Sequence, residues 1–223
     1  MSPPQTTPIP GADHSTVRWW ALASAAIAPF LLVGGWTLAA ARQPRGYDPI
    51  RDTISSLAAR GATDRWVMTA ALLAVGVCDA VTGAGLRPAR WAGRIALMGG
   101  GVATMMVAAF PQPVRGNGVD HTIAATIAFT ALAFWPVMAM RRGTGVPVLS
   151  LAFAVSATVV TVGLLTWFTL ELHGSHRGIA ERGAALAEVM WPLVVAVGAR
   201  HAPLVGRLGP RGTIGSASSA PAA

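Results

Sequence analysis

The sequence has no lysine, one cysteine and few charges of either sign, and each shortage removes a class of function. With lysine absent, the formal net charge of +8 is carried by arginine alone. Those arginines sit at the ends of apolar runs and form no basic stripe interleaved with aromatics, which argues against a nucleic-acid partner. The lone Cys78 lies within an apolar run, so there is no intramolecular disulfide framework and no CxxC metal knuckle; it reads as a small core residue. Charged residues make up 12% of the chain, against about 25% in soluble domains, and the mean hydropathy is +0.53. A soluble domain is excluded. No catalytic motif and no inverted repeat of the transporter kind stands out either.

What is present is a series of apolar runs of bilayer length. A hydrocarbon core of about 30 Å takes roughly 20 helical residues, and such windows recur at about 19–41, 66–86, 91–110, 120–140, 146–170 and 179–199. The expected fold is all-α: a polytopic membrane protein, a bundle of six transmembrane helices with a short amphipathic helix between spans 1 and 2. Residues 1–17, rich in Pro, Ser and Thr, read as a disordered tail, 18–201 as the membrane domain, and 202–223 as a second tail. The first apolar run is longer than the 7–15 residues of a signal-peptide core, so it is read as an uncleaved helix.

Six spans put both termini on one side. That side carries nine arginines and the other eight, close to a tie. The short, Arg-dense turns 86–94 and 141–145 resemble retained cytoplasmic loops, so both termini are read as cytoplasmic and the first loop as external. Trp19, Trp20, Trp66 and Trp91 each fall beside an arginine at a span boundary, as interfacial anchors do. Trp36 and Trp167 suit the outer belt and Trp135 the inner one. Gly99-Gly100-Gly101 and the many alanines favour close helix packing.

Polar residues within this frame are few. In the first loop Asp48 and Pro49 make a helix start and Gly61 a stop. Ile50, Ile54 and Leu57 share one face between them, while Arg51, Asp52, Ser55 and Ser56 occupy the rest. This predicts about three turns of amphipathic helix, either a surface brace or a lid. Asp79 lies within a span, where a carboxylate costs about 2.5–3.5 kcal/mol, and should face the bundle interior. Counted at 1.5 Å per residue it sits about 21 Å from the first-loop interface, and Glu188 about 15 Å. The two carboxylates are candidates to share a pocket with Thr82, Thr104, Thr126 or Thr161, as a structural hydrogen-bonded pair or as proton carriers.

His121 opens span 4, and His173 and His176 precede span 6. With Asp120 they form a candidate rim site for zinc, set against the reading of ordinary interfacial histidines; no cofactor is predicted. Glu181 and Arg182 open span 6, where Arg182 is expected to pair with Asp48, Asp52 or Asp120 and tie the loops together.

Taken together, Tyr47-Asp48-Pro49-Ile50-Arg51-Asp52-Thr53-Ile54-Ser55-Ser56-Leu57, Arg65-Trp66-Val67-Met68-Thr69, Asp79, Phe110-Pro111, His121 and Gly178-Ile179-Ala180-Glu181-Arg182 resemble the domain of unknown function 998 family of bacterial and archaeal membrane proteins. The resemblance covers roughly 20–200 and departs at Gln112-Pro113, where a further acidic residue would be expected. It implies a six-span membrane protein whose activity is not established and supplies no catalytic assignment; the expected localisation is the bacterial plasma membrane. The candidate polar cluster is therefore Tyr47, Asp48, Arg51, Asp52, Ser55, Asp79, His121, Glu181 and Arg182.

Three functions compete for these residues. One is a non-enzymatic membrane protein binding a lipid or an envelope partner. Another is a lipid hydrolase or transferase using Asp48, Asp52, Ser55, His121, Glu181 and Arg182. A third is a proton-coupled transporter using Asp79 and Glu188.

Overall fold

A computed structural model describes residues 16–114 and 118–207, with side chains as far as residue 202. Most of the two expected tails lies outside the described residues. The helices are α1 (Trp19–Ala41), α2 (Ile54–Leu57), α3 (Trp66–Gly85), α4 (Trp91–Ala109), α5 (Val119–Ala139), α6 (Leu151–Leu170) and α7 (Arg177–Arg207). All but α2 are long and apolar enough to cross a bilayer, and there is no strand among the described residues. The all-α, six-span architecture is the one the hydropathy pattern predicts.

Glycine brings α3 and α4 into backbone contact. A Cβ on Gly76 of α3 would run into the carbonyl of Gly101 on α4, and one on Gly101 would meet Gly76 in return. In lipid, where hydrophobicity gives helices little reason to associate, such backbone contact supplies the packing. Span α6 is the least buried, packing mainly on α5 and α7. The core falls into two clusters. One, around Leu32, Leu57, Met68, Leu72 and Val107, lies toward the first loop; the other, around Leu86, Leu97, Trp135, Leu149 and Val195, lies at the opposite end. At that opposite end arginine secures the turns: Arg94 donates to the Gly83 and Ala84 carbonyls and Arg141 to that of Pro88.

Three expectations need correction. The fifth span starts at Leu151 and not at 146, because Pro147–Leu149 form a 3-10 turn and Ser150, extended at ψ 157°, caps the helix through Phe153 N–H. Trp135 is fully buried in the second cluster and is no belt anchor, whereas Trp19, Trp66 and Trp91 are exposed as anchors should be. The first-loop helix is also much shorter than its amphipathic pattern predicts: only Ile54–Leu57 is helical, capped by Thr53 Oγ1, which accepts from Ser56 N–H at 3.1 Å. The chain stops being helical well short of Gly61.

The reason lies in where the loop's carbonyls go. Extending the helix back to Asp48 would need the carbonyls of residues 49–52 as acceptors within the helix. All four are taken by α7. Pro49 O accepts from Arg182 at 2.7 Å, Ile50 O from the backbone N–H groups of Gly178 and Ile179 at 2.9 and 3.1 Å, Arg51 O from Arg177 at 2.7 Å, and Asp52 O from Arg182 at 2.8 Å. Docking on α7 replaces two turns of helix.

Candidate functional site

The site is built where the first loop meets the start of α7. Asp48 closes a tight turn, its Oδ1 accepting from Ile50 N–H at 2.9 Å while its own N–H donates to Asp52 Oδ2 at 2.9 Å. Gly178 lies against this turn so closely that a Cβ would clash with the Asp52 and Pro49 carbonyl oxygens. The free N–H groups at the start of α7 thereby find acceptors in the loop, as every helix N-terminus requires. The first-loop segment Tyr47–Leu57 and the Gly178–Arg182 segment of the family resemblance are thus the two halves of one joint.

Arg182 is the centre of that joint. Its Nη1 donates to the Pro49, Asp52 and Gly178 carbonyls, its Nη2 to the Tyr47 hydroxyl at 2.6 Å, and its guanidinium stands 5.8 Å from the Trp36 ring. It forms none of the ion pairs found among the described residues, so the expected pairing with Asp48, Asp52 or Asp120 is replaced by a clamp on neutral oxygens. The planar fork suits several carbonyls at once. Asp52 pairs instead with Arg177 at 3.8 Å, and Asp48 with Arg51 at 3.6 Å. Burial pushes the Tyr47 phenol above its usual range, an effect that the Arg182 guanidinium partly offsets.

Glu181 completes the contact from below. Its Oε2 accepts from Ile54 N–H and its Oε1 from the Ser55 hydroxyl at 2.7 Å, so a carboxylate from α7 satisfies the exposed donors at the start of α2. Glu181 is only 3% exposed and has a partner for each oxygen.

Beneath it lies a cavity of about 70 Å³. Asp79, Glu188, Glu181, Thr104 and Ser55 are its polar lining; the remainder is aliphatic apart from Phe129. Asp79 and Glu188 do share an interior pocket, with Thr104 the one member of the candidate threonines to join them. Thr82 donates instead to Ala21 O, Thr161 accepts from Trp191 Nε1, and Thr126 faces elsewhere. No basic side chain lines the cavity, and Glu188 Oε1 is buried without a hydrogen-bond partner.

A second, larger space of about 570 Å³ runs along the seam between α5 and α6. Its end nearest the first loop is polar, bordered by Thr53, Ser55, Ser56, Gln112, His121, Arg177 and Glu181. Farther along, Phe129, Phe134, Val162, Leu165 and Phe168 make it mainly apolar, interrupted by Thr130 and Thr166, with the Phe129 and Phe168 rings 5.8 Å apart across the seam. Ser55, Ala125, Phe129 and Glu181 border both spaces. Sequence reasoning missed this groove. Its signal was Thr122, Thr126 and Thr130 at helical spacing on one face of α5, which all border it.

His121 lies on the groove wall, its Nδ1 2.9 Å from Phe110 O. A carbonyl only accepts, so Nδ1 carries the proton in that contact. His176 sits 3.8 Å from Glu171. Among the described residues no three His, Cys, Asp or Glu side chains converge as metal ligands, so the rim set of Asp120, His121, His173 and His176 does not assemble. Gln112, at the position where an acid was expected, borders the groove, and its carbonyl accepts from Arg60 N–H at 3.0 Å.

Six apolar spans joined at one end by a docked loop define a multi-pass membrane protein. Within that class, the family model described as protein of unknown function (DUF998) matches residues 11–198, and the chain belongs to that family. No curated protein and no solved structure matches it.

Proposed function

We propose that this protein binds an amphiphile of the membrane, with the apolar tail in the seam between α5 and α6 and the head at the polar mouth under the first loop. The observation that carries this reading is the groove's polarity gradient, from Gln112, His121 and Arg177 at one end to Phe134, Val162 and Leu165 at the other. The weakly buried α6 gives a tail lateral access from lipid. An apolar wall with a few placed polar groups is the general form of a small-molecule site, and opening the wall to lipid beside α6 suits an amphiphile.

The test is photolabelling in phosphatidylcholine nanodiscs with a phospholipid carrying a diazirine in its tail. Labels should concentrate on peptides from 122–134 and 162–172, and Thr130→Trp, which puts an exposed groove-lining position under a large ring, should remove them. Uniform labelling around the bundle would sink the proposal. We read the membrane as a bacterial plasma membrane, and the short, Arg-dense turns 86–94 and 141–145 support cytoplasmic termini with the mouth at the outer leaflet. A C-terminal reporter active only in the cytoplasm tests that orientation.

Hydrolysis of the bound lipid is the second reading, favoured by Ser55, His121 and Glu181 bordering one groove. Loss of product release in both Ser55→Ala and His121→Ala would support it, and full activity of both would end it.

A further inference from the structure

The groove explains the mouth and the apolar wall but not the carboxylates beyond it. Asp79 is 2% exposed and Glu188 4%, both in the same small cavity. Asp79 forms none of the ion pairs among the described residues, and Glu188 Oε1 has no donor at all. Buried carboxyl oxygens without partners are costly, and proteins retain few of them without a use. The cavity borders the lipid-facing groove through Ser55, Ala125, Phe129 and Glu181. Glu181 stands at the shared wall, and Glu188, seven residues farther along α7, lies about 10 Å deeper on nearly the same face.

We infer that the Asp79–Glu188 cavity receives the primary amine of an amine-bearing amphiphile whose tail occupies the α5–α6 groove. This rests on the groove being an amphiphile site and names one group of the ligand's head: with the head at the mouth, a methylene arm carries the amine past Ser55 and Glu181 into the cavity. Two carboxyl side chains, Asp79 and Glu188, with no base lining the cavity, complement a cation. The donor count selects the kind of cation: a primary ammonium offers three N–H groups, which suit Glu188, Asp79 and the Thr104 hydroxyl oxygen. A quaternary ammonium has no N–H to give Glu188 Oε1 and prefers a cage of aromatics, of which this cavity has Phe129 alone. A bare metal cation seeks six or more oxygens, and no converging set of acidic or histidine ligands exists among the described residues. The aliphatic lining matches the methylene groups that carry the amine.

The experiment compares two photoreactive probes of equal chain length, a C12 diazirine amine and a C12 diazirine alcohol, on the full chain in phosphatidylcholine nanodiscs. The amine should label groove peptides with apparent affinity about tenfold above the alcohol, as a charge-assisted contact gives. Glu188→Gln and Asp79→Asn should each remove that preference while leaving alcohol labelling within about twofold, which shows that the variant is folded. If Glu188→Gln also loses the alcohol, Asp79→Asn decides.

Equal labelling by the two probes overturns the amine assignment and leaves the groove proposal intact. Absence of groove labelling by either overturns both. Retention of the amine preference in both variants overturns the assignment, as does its abolition by sodium but not by tetramethylammonium at equal ionic strength, which would make the site one for an inorganic cation.

Discussion

Glu181 and Glu188 stand seven residues apart on α7, both at least 96% buried, and their surroundings are opposite. Around Glu181 every polar atom has been matched: the loop donates Ile54 N–H and the Ser55 hydroxyl, and Arg182 holds the loop's carbonyls one residue along. Around Glu188 one oxygen has no partner, and the cavity beside it contains no base. The same residue type at the same burial is a structural cap in one place and an unspent binding group in the other. Burial of a carboxylate within a span therefore does not identify a working residue; the partner list does.

The difference is tested most severely from the satisfied side. Gly178→Ala puts a Cβ against two backbone carbonyls that cannot move without undocking the loop, and it should lower stability by about 2–3 kcal/mol. Thermal unfolding in detergent measures this, and limited proteolysis should cut the first loop first. Glu181→Gln comes next. It keeps the volume but leaves one acceptor oxygen for the donors at the start of α2, at a cost of about 2 kcal/mol. Glu188→Gln makes the identical chemical change where no donor is lost, and stability should rise by about 1 kcal/mol. If the two substitutions move the unfolding midpoint in the same direction, the contrast between the two glutamates is wrong.

The sequence displayed the spans clearly because lipid imposes a length and a composition that hydropathy reads directly. It displayed the joint only in fragments. Gly178 and Arg182 stood out as a motif, and so did Asp48 and Pro49, but nothing in their spacing says that α7 takes the carbonyls of 49–52. The amphipathic pattern of Ile50, Ile54 and Leu57 accordingly predicts a longer helix than forms: periodicity reports which residues face the core, not which acceptors a distant helix has claimed. Trp135 misled for a related reason. Its position near a span end fits an anchor, yet which face of α5 meets the bundle is set by packing with Leu97 and Leu149, far away in sequence. Asp79 and Glu188 were legible as interior residues because a carboxylate in a span has nowhere else to face, while the α5–α6 groove was hidden in threonines that looked like packing residues.

Tyr47→Phe sharpens the comparison at its finest scale, because it removes one hydrogen bond from the satisfied end without disturbing the clamp. Arg182 keeps its three carbonyl acceptors and loses only the phenol at 2.6 Å, so the cost should be about 1 kcal/mol at neutral pH. The phenol also carries a pH signature. Burial raises its folded pKa above the unfolded value of about 10, so its neutral form is favoured by folding. Its contribution is therefore complete below about pH 10 and is lost as pH rises through the raised value, since the folded protein must then ionise a half-buried hydroxyl while the unfolded chain has already done so. Wild type should lose stability in that alkaline window and Tyr47→Phe should not, making the two unfolding midpoints converge as pH increases. A constant gap between them across the window would show that the phenol is not held in the joint. A joint that tightens only with neutral Tyr47 and a cavity that responds only to Glu188 and Asp79 would then be separable by measurement, although one helix carries both.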